Sequence, residues 1–416
     1  MRRSAVWGAA AAVALLLAAG CTGGDGHSTR AAIEVDKAEA LADQPVRIRV
    51  TGLKAGEEVT ATAKAVDYAG MWWTGRATVE ADANGTVDLT RARPSDGTYR
   101  TVDGMGLFWS MRPQRGPTDE SSYFSGRPED KPSFRVRLDI LAGDRRIATR
   151  TLTRTWLAGG VADDSLTVAE DSVNGKLYLP PADAPRRTPV LVLGGSEGGN
   201  WGIFDAALLA SRGHPALALC YFGCKGRPDT LSRIDLEYFT EGIKLLGRRA
   251  GTGDKPVAVI GISRGTEAAQ LLVHRYPSLV GDVVLNSPTR DTADGLPDGG
   301  PAWTDHGKPL SYSPIPLDRA RGTVLAVAGM RDRVWPSFPA AKDIGRQHGA
   351  AGQKHRALLY PEAGHAVGDF PYTATAVTIK HPVYGQYQNL GGTAAANAKA
   401  REDSWPQILR LLSSEG

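Results

Sequence analysis

The chain has 416 residues, of which 42% are hydrophobic and 23% are charged, proportions that are ordinary for a folded protein with filled cores. This length predicts two domains. The net charge of +4 is small, and the lysines and arginines are scattered along the chain, so nucleic acid is excluded as an expected partner.

The first 21 residues have the pattern of an export signal. Arg2 and Arg3 precede an almost wholly apolar run that ends in the letters AAGC. Such a run is typical of a secretory signal, and it is too short for a membrane-spanning helix of about 20 apolar residues. The ending resembles a bacterial lipobox, which predicts lipidation of Cys21 and a tether over 22–30; a plain cleaved signal is the alternative. We therefore expect an extracytoplasmic bacterial lipoprotein anchored to the cell membrane.

Residues 31–158 follow a pattern of period two. Segments such as VRIRVTG and FRVRLDIL alternate apolar and polar residues and are separated by Gly, Asn, Asp and Pro. This alternation predicts antiparallel strands with one solvated face, and several such strands in succession favour a β-sandwich. The polar, proline-rich stretch over 113–132 predicts a long loop.

Residues 165–416 have a different character. Short apolar segments such as PVAVIGIS and TVLAVAGM alternate with helical patterns such as GTEAAQLLVHRYP. Apolar strands bounded by helices predict a mostly parallel sheet that is covered on both faces. The sequence thus predicts a small β-sandwich followed by an α/β domain, with the boundary between residues 160 and 165.

The letters GISRG, at 261–265, follow one of these apolar strands and precede a helical pattern. A nucleophile elbow needs glycine two residues before and two residues after its nucleophile, because strand and helix crowd the turn. Gly261 and Gly265 meet this need and predict Ser263 as a nucleophile. The alternative, a serine in an ordinary glycine-rich loop, is disfavoured by the strand-turn-helix context.

A serine nucleophile needs a base and a carboxylate that orients the base, in the chain order Ser, acid, His for this kind of elbow. Asp332 follows the apolar strand TVLAVAGM, and His365 follows the apolar strand LLYP. These two positions predict the acid and the base. The remaining histidines considered fit ordinary surface or core positions better; they are His214, His274, His306, His348, His355 and His381.

Acyl transfer also needs donors for an oxyanion. In the glycine-rich loop GGSEGG, the backbone N–H of Ser196 or Glu197 is a candidate donor, and the backbone N–H of Arg264 is the expected second donor. The loop lacks the Lys-Ser/Thr ending of a P-loop, and no cofactor or metal is predicted. Cys220 and Cys224 could form one disulfide, although their spacing often gives poor geometry; two unpaired thiols are the equal alternative.

Several motifs together resemble the family of acyl-CoA thioesterases and bile acid-CoA:amino acid N-acyltransferases. They are DGMGLFWSMRP in the first half and LALCYFG, GISRG, RDRVWPS and EAGH in the second. The resemblance implies an immunoglobulin-like sandwich, an α/β-hydrolase domain, and a nucleophile, acid and base at Ser263, Asp332 and His365. The family's amino-acid transferases carry Cys at the elbow, so the serine here favours hydrolysis.

We therefore expect a serine hydrolase that cleaves acyl thioesters, fatty acyl-CoA or related esters, through an acyl-enzyme. Its expected partners are a small-molecule substrate and, through the anchor, a membrane. The first alternative is an acyltransferase that moves the acyl group to an envelope amine or alcohol. The second is a binding module that has lost catalysis. The sequence leaves the oligomeric state and the acyl-chain length undecided.

Overall fold

The computed structural model of the protein describes residues 30–118 and 128–413. The signal peptide predicted at 1–21, with its lipidation site Cys21, and nearly all of the predicted tether lie outside these ranges. None of the helices within the ranges combines the length and the apolar character that crossing a bilayer requires.

The N-terminal region is built of strands whose side chains alternate between the core and solvent. In β3, for example, Ile48 and Val50 are buried while Arg49 between them is exposed. The elements in chain order are β1 (Ala32–Val35), β2 (Glu39–Leu41), β3 (Ile48–Thr51), β4 (Glu58–Val66), β5 (Trp72–Glu80), β6 (Val87–Asp88), β7 (Asp96–Gly97), α1 (Gly106–Trp109), β8 (Arg112–Pro113), β9 (Ser133–Ala142) and β10 (Arg145–Thr155).

These strands form two sheets. One has the order β1-β3-β6, and the other has the order β2-β10-β9-β4-β5-β7, with β8 paired to β5. Every pair is antiparallel except β2 with β10, as the alternating sequence pattern predicts. Both sheets contribute to one hydrophobic core, with Val50 from the first and Leu138 from the second. The predicted loop over 113–132 is described at 113–118 and 128–132, and there it holds only the end of β8.

The C-terminal region alternates strands and helices. Its elements are β11 (Ala162–Leu166), α2 (Val168–Asp171), β12 (Asn174–Leu179), β13 (Val190–Leu193), α3 (Ile203–Ala210), β14 (Ala216–Cys220), β15 (Ile234–Asp235), α4 (Leu236–Ala250), β16 (Val257–Ile262), α5 (Gly265–Arg275), β17 (Val280–Asn286), β18 (Trp303–Asp305), β19 (Lys308–Pro309), β20 (Val324–Gly329), α6 (Ser337–Ile344), β21 (Arg356–Tyr360), β22 (Thr378–Lys380), β23 (Tyr387–Asn389) and α7 (Ala394–Ser413).

The main sheet of this region has the order β11-β12-β14-β13-β16-β17-β20-β21 in the described part of the chain. Strands β14 to β21 of that order pair in parallel, and β12 is antiparallel to both of its neighbours. Helices α3 and α7 share a core with one face, and α4, α5 and α6 share a core with the other. The mostly parallel sheet, covered on both faces and with a strand-turn-helix at Ser263, confirms the α/β-hydrolase prediction for this half.

Aromatic side chains join the two regions. Trp156, which directly follows β10, packs against Phe204 of α3 with ring centroids 4.8 Å apart and against Phe370 at 5.5 Å. Phe370 in turn contacts Trp405 of α7 at 6.4 Å. The core of the N-terminal region is therefore continuous with the α3 and α7 face of the main sheet.

Candidate active site

Ser263 lies on the tight turn between β16 and α5. Its φ is +51°, a left-handed conformation that is uncommon for a residue other than glycine and that is costly unless its surroundings hold it. The Ser263 N–H donates to the Asn286 carbonyl over 2.9 Å, and its own carbonyl accepts from the Thr266 N–H at 2.9 Å. A Cβ on Gly261 would lie 2.5 Å from the Gly265 carbonyl oxygen, which explains the glycine at that position.

Three loops bring the predicted nucleophile, base and acid together. His365 Nε2 lies 3.0 Å from Ser263 Oγ, and His365 Nδ1 lies 2.8 Å from Asp332 Oδ2. Asp332 follows β20 and His365 follows β21, and both strands run parallel to β16 in the same sheet. The three residues meet because the carboxyl ends of parallel strands lie at one edge of a sheet.

Three further contacts hold the histidine loop and its imidazole ring. The His365 N–H donates to the Leu390 carbonyl over 2.7 Å, and the Ser287 hydroxyl donates to the His365 carbonyl over 2.6 Å. The indole ring of Trp335 packs edge-on against the imidazole, with centroids 5.8 Å apart. These contacts restrict the orientation of the imidazole toward Ser263.

Asp332 is held as an anion. Its Oδ2 accepts hydrogen bonds from His365 and from the Ser337 hydroxyl, the latter over 2.5 Å, and its Oδ1 accepts the N–H of Val334 at 2.8 Å. Burial by itself would raise the pKa of Asp332, but these hydrogen bonds outweigh it and the pKa lies below its ordinary value. An ionised Asp332 favours a proton on Nδ1 of His365, which leaves the Nε2 lone pair facing the Ser263 hydroxyl.

The three residues predicted to form an oxyanion hole occupy different surroundings. The Arg264 side chain turns away, since it is paired with Glu267 at 3.1 Å and donates to the Asp294 carbonyl at 2.8 Å, so only its backbone N–H at the start of α5 remains relevant. Ser196 Oγ is hydrogen-bonded to His381 Nε2 over 2.9 Å. Glu197 lines the cavity that contains Ser263. The oxyanion role of each stays a prediction.

The cavity beside Ser263 has a volume of about 150 Å³. Its walls are partly aromatic and aliphatic, and they include Trp201, Phe204, Ile262, Val367, Phe370 and Leu390. Sequence reasoning missed several other polar side chains in it, among them Asp205 and Asn286. Asn286 could have been found, because a polar residue at the carboxyl end of a buried parallel strand lies at the edge where such sites form.

Cys220 and Cys224 form a disulfide, which decides between the two alternatives that the sequence left open. The bridge closes the loop that follows β14. No group of three or more His, Cys, Asp or Glu side chains in the described ranges is arranged to hold a metal ion.

Two family descriptions of known proteins match separate regions of the chain. The family description "Acyl-CoA thioester hydrolase/BAAT N-terminal region" matches residues 43–168. The description "BAAT / Acyl-CoA thioester hydrolase C terminal" matches residues 234–297 and 292–415.

Individual relatives match along most of their length. Acyl-coenzyme A amino acid N-acyltransferase 1 of Mus musculus is 30% identical over 407 residues, which cover 90% of this chain and 95% of the relative. Acyl-coenzyme A thioesterase 6 of Mus musculus is 29% identical over 395 residues, which cover 88% of this chain and 92% of the relative. The mitochondrial acyl-coenzyme A thioesterase 2 of Rattus norvegicus is 29% identical over 398 residues, which cover 88% of this chain and 85% of the relative.

The predicted bacterial, extracytoplasmic location is wrong according to these comparisons. The relatives are mammalian enzymes that are named for acyl-coenzyme A, a metabolite of the cell interior, and one of them is named as mitochondrial. The membrane, predicted as a partner through a lipid anchor at Cys21, is likewise not supported by these comparisons.

Proposed function

Because the chain belongs to the family of acyl-CoA thioesterases and bile acid-CoA:amino acid N-acyltransferases, we propose that it is a serine hydrolase of acyl thioesters or related acyl esters. One observation carries the proposal: His365 bridges Ser263 Oγ at 3.0 Å and Asp332 Oδ2 at 2.8 Å. Both distances are those of hydrogen bonds. The bond to Ser263 lets the imidazole accept the hydroxyl proton, and the bond to Asp332 orients the imidazole.

In the proposed reaction, His365 Nε2 takes the proton of the Ser263 hydroxyl as Oγ attacks the acyl carbonyl carbon. The tetrahedral intermediate collapses when the bond to the leaving group breaks, and His365 returns the proton to the departing thiolate or alkoxide. Water then attacks the carbonyl carbon of the acyl-enzyme while His365 takes one of its protons. The bond between the acyl carbon and Ser263 Oγ breaks, His365 returns the proton to Oγ, and the free acid leaves. Asp332 stabilises the imidazolium that forms in both steps.

We assign the stabilisation of the oxyanion to the backbone N–H of Arg264 and to an N–H of Ser196 or Glu197. Two features support this assignment. The first N–H groups of a helix have no partner within the helix, and Arg264 directly precedes α5. The loop that carries Ser196 approaches the elbow closely, since a Cβ on Gly265 would lie 2.4 Å from the Gly194 carbonyl oxygen.

Acyl transfer to an amine is the second candidate. It is favoured by the relatives named as N-acyltransferases, which match the chain as well as the named thioesterases do. The same three side chains would serve, with an amine in place of water in the second step. Analysis of the products formed in the presence of candidate amines separates the two reactions, since release of free acid alone excludes transfer.

We also propose that residues 31–158 form a domain of immunoglobulin type and that residues 165–416 form the catalytic domain. The two antiparallel sheets that share one core over β1 to β10 support the first part. An experimental structure of the full chain in which these two sheets do not face each other would contradict it.

The experiment that tests the proposed function is labelling with a fluorophosphonate probe, followed by turnover of a panel of acyl thioesters and esters. The wild-type protein should be labelled at Ser263, and Ser263→Ala should lose both the label and turnover. Ser232→Ala, a serine of the same half outside the cavity, is the control. A wild-type protein that is folded, unlabelled and inactive on the whole panel would exclude a serine hydrolase.

A further inference from the structure

Three side-chain oxygen atoms in the cavity beside Ser263 have no hydrogen-bond partner in the part of the chain that the structure describes. They are Glu197 Oε2, Asp205 Oδ1 and Asn286 Oδ1, and all three are buried. A buried acceptor that stays unpaired costs about 1–3 kcal/mol. Three of them around one small cavity therefore indicate a ligand that brings hydrogen-bond donors.

Asp205 lies in the first turn of α3 and is 3% exposed. Burial, and then the neighbouring carboxylate of Asp369, raise the pKa of Asp205 well above its ordinary value. Arg401, whose charge acts on Asp205 in the opposite sense, is itself engaged, with Nη2 3.3 Å from Asp369 Oδ2 and Nε donating to the Ala366 carbonyl at 3.1 Å. Within the described ranges, Asp205 itself forms no ion pair.

Glu197 lies next to the nucleophile. A Cβ added to Gly195 would lie 2.7 Å from Glu197 Oε2 and 3.1 Å from Ser263 Cβ. The side chains of Glu197 and Ser263 are therefore separated only by this glycine. Burial raises the pKa of Glu197 above its ordinary value. Among the residues that the structure describes, Glu197 likewise forms no ion pair, and the neighbouring charge that acts to lower its pKa is that of His365.

Asn286 ends β17 and is 2% exposed. Its Nδ2 donates to the Gly368 carbonyl over 3.0 Å, which fixes Oδ1 as the atom that accepts. A Cβ on Gly368 would lie 2.2 Å from this oxygen, and the φ of +75° at Gly368 also suits glycine. The glycine therefore leaves room for the amide oxygen beside the cavity.

We propose that this cavity is a subsite for a primary ammonium group carried by the substrate, whose N–H bonds are accepted by Glu197, Asp205 and Asn286. The proposal rests on the proposed function, since it names the kind of ester that the site takes. An ammonium group has three donors and no acceptor, which matches three acceptor atoms. Hydrogen bonds from a cation to a carboxylate are also stronger than neutral ones.

The size and the other charges of the cavity agree with this assignment. A volume of about 150 Å³ is comparable to that of a cavity that holds one benzene molecule, which leaves ample room for a primary ammonium group. An unsubstituted alkyl chain would leave all three oxygens unpaired. In the described part of the cavity wall the basic side chains are Lys380, which is an exposed residue, and Arg401, which is engaged with Asp369.

The ammonium group could stand on the acyl part of the substrate or on the part that leaves. Two pairs of esters distinguish these sources, and in each pair an ammonium replaces a methyl group of nearly equal size. The first pair is the p-nitrophenyl esters of 3-aminopropanoic acid and butanoic acid. The second is the butanoate esters of 2-aminoethanol and 1-propanol.

We expect the ammonium ester of at least one pair to exceed its methyl partner in kcat/KM by about tenfold or more. Glu197→Gln and Asp205→Asn should each reduce that ratio severalfold, because each removes a carboxylate and keeps the shape. Asp254→Asn, an exposed acidic residue outside the cavity, should leave the ratio unchanged. Methyl partners that are equal or better in both pairs, or a ratio that neither cavity variant alters, would overturn the proposal.

Binding separates a failure of this proposal from a failure of the proposed function. In the Ser263→Ala protein, calorimetry should show that propylammonium binds and that 1-propanol binds at least about tenfold more weakly. If the wild-type protein hydrolyses neither the four esters nor any member of the thioester and ester panel, but Ser263→Ala binds propylammonium with this preference, only the hydrolase assignment falls. If esters are hydrolysed but propylammonium shows no preference over 1-propanol and neither ester pair favours the ammonium, only the subsite falls.

Discussion

The indole N–H of Trp405 donates to Oδ2 of Asp43 over 2.6 Å, although 362 positions separate the two residues in the chain. The other oxygen of the same carboxylate accepts from Arg212 Nη2 at 2.7 Å, and the Asp43 side chain is fully buried. One carboxylate thus ties helix α7 and the segment after α3 to the start of the N-terminal region.

This arrangement predicts a large loss of stability for Asp43→Ala. The substitution leaves a largely buried guanidinium and a buried indole N–H without their acceptor, and breaking such a pair costs about 3–5 kcal/mol. Urea unfolding of the full chain measures the change in the free energy of unfolding. Glu34→Ala, which breaks an exposed ion pair with Arg49, is the control and should cost less than about 1 kcal/mol. Equal losses in the two variants would contradict the interpretation.

Asp332→Asn should lower kcat/KM for an acyl ester by about 10⁴-fold with the fold intact. The amide of Asn cannot hold His365 in the tautomer that leaves Nε2 free to accept the Ser263 proton. Steady-state kinetics with a butanoyl ester, together with circular dichroism of both proteins, provide the measurement. Ser337→Ala removes one hydrogen bond to Asp332 and should have a much smaller effect. A variant that keeps more than a tenth of the activity would rule out the orienting role.

Gly265→Ala should destabilise the protein and distort the elbow. The added Cβ would lie 2.4 Å from the Gly194 carbonyl oxygen and 2.7 Å from that of Leu193, both backbone atoms that cannot move aside cheaply. Overpacking of this kind costs about 1–3 kcal/mol. The temperature of thermal unfolding and the rate of turnover should both fall. Gly281→Ala, where the nearest atom is 3.6 Å from the new Cβ, should leave both close to wild type.

Glu267 makes stability depend on pH in a predictable direction. Burial raises its pKa from 4.5 to about 7, although Arg264 and the Trp303 indole N–H, which donates over 2.7 Å, act in the opposite sense. The folded state therefore holds this proton more tightly than the unfolded chain. The contribution to stability falls as pH rises from 4.5 to about 7, by up to about 3 kcal/mol at roughly 1.4 kcal/mol per pKa unit.

The measurement is urea unfolding of the wild-type protein and of Glu267→Gln at several pH values. Glutamine does not titrate and can still accept the Trp303 N–H. The stability of the wild type relative to the variant should decline across this range and stay level above it. A relative stability that is independent of pH would show that Glu267 is ionised in the folded protein at all the pH values tested.

The sequence predicted the parts of the site that local backbone geometry dictates. Glycine spacing around Ser263 marks the elbow because only glycine fits there, and apolar strands before Asp332 and His365 mark the sheet edge at which loops meet. The same logic predicted α5 and the alternation of strands and helices in the second half. The antiparallel strands of the first half followed from their period of two.

Other features depend on contacts between distant residues and leave no local pattern. The bond from Trp405 to Asp43 and the convergence of Glu197, Asp205 and Asn286 on one cavity belong to this group. The sequence did not decide whether Cys220 and Cys224 form a disulfide, because a four-residue spacing is compatible with either redox state. Helix α7 was not predicted; Pro406 lies within it and its apolar residues are diluted by charged ones.

Trp156 leaves the last strand of the N-terminal region and rests on Phe204 and Phe370, two of the rings that wall the cavity beside Ser263. The two halves of the chain are consequently not interchangeable parts. A chimera whose N-terminal half carried a smaller side chain in place of Trp156 would leave a gap behind those rings, and the shape of the cavity beside Ser263 would change although none of its own residues had been replaced.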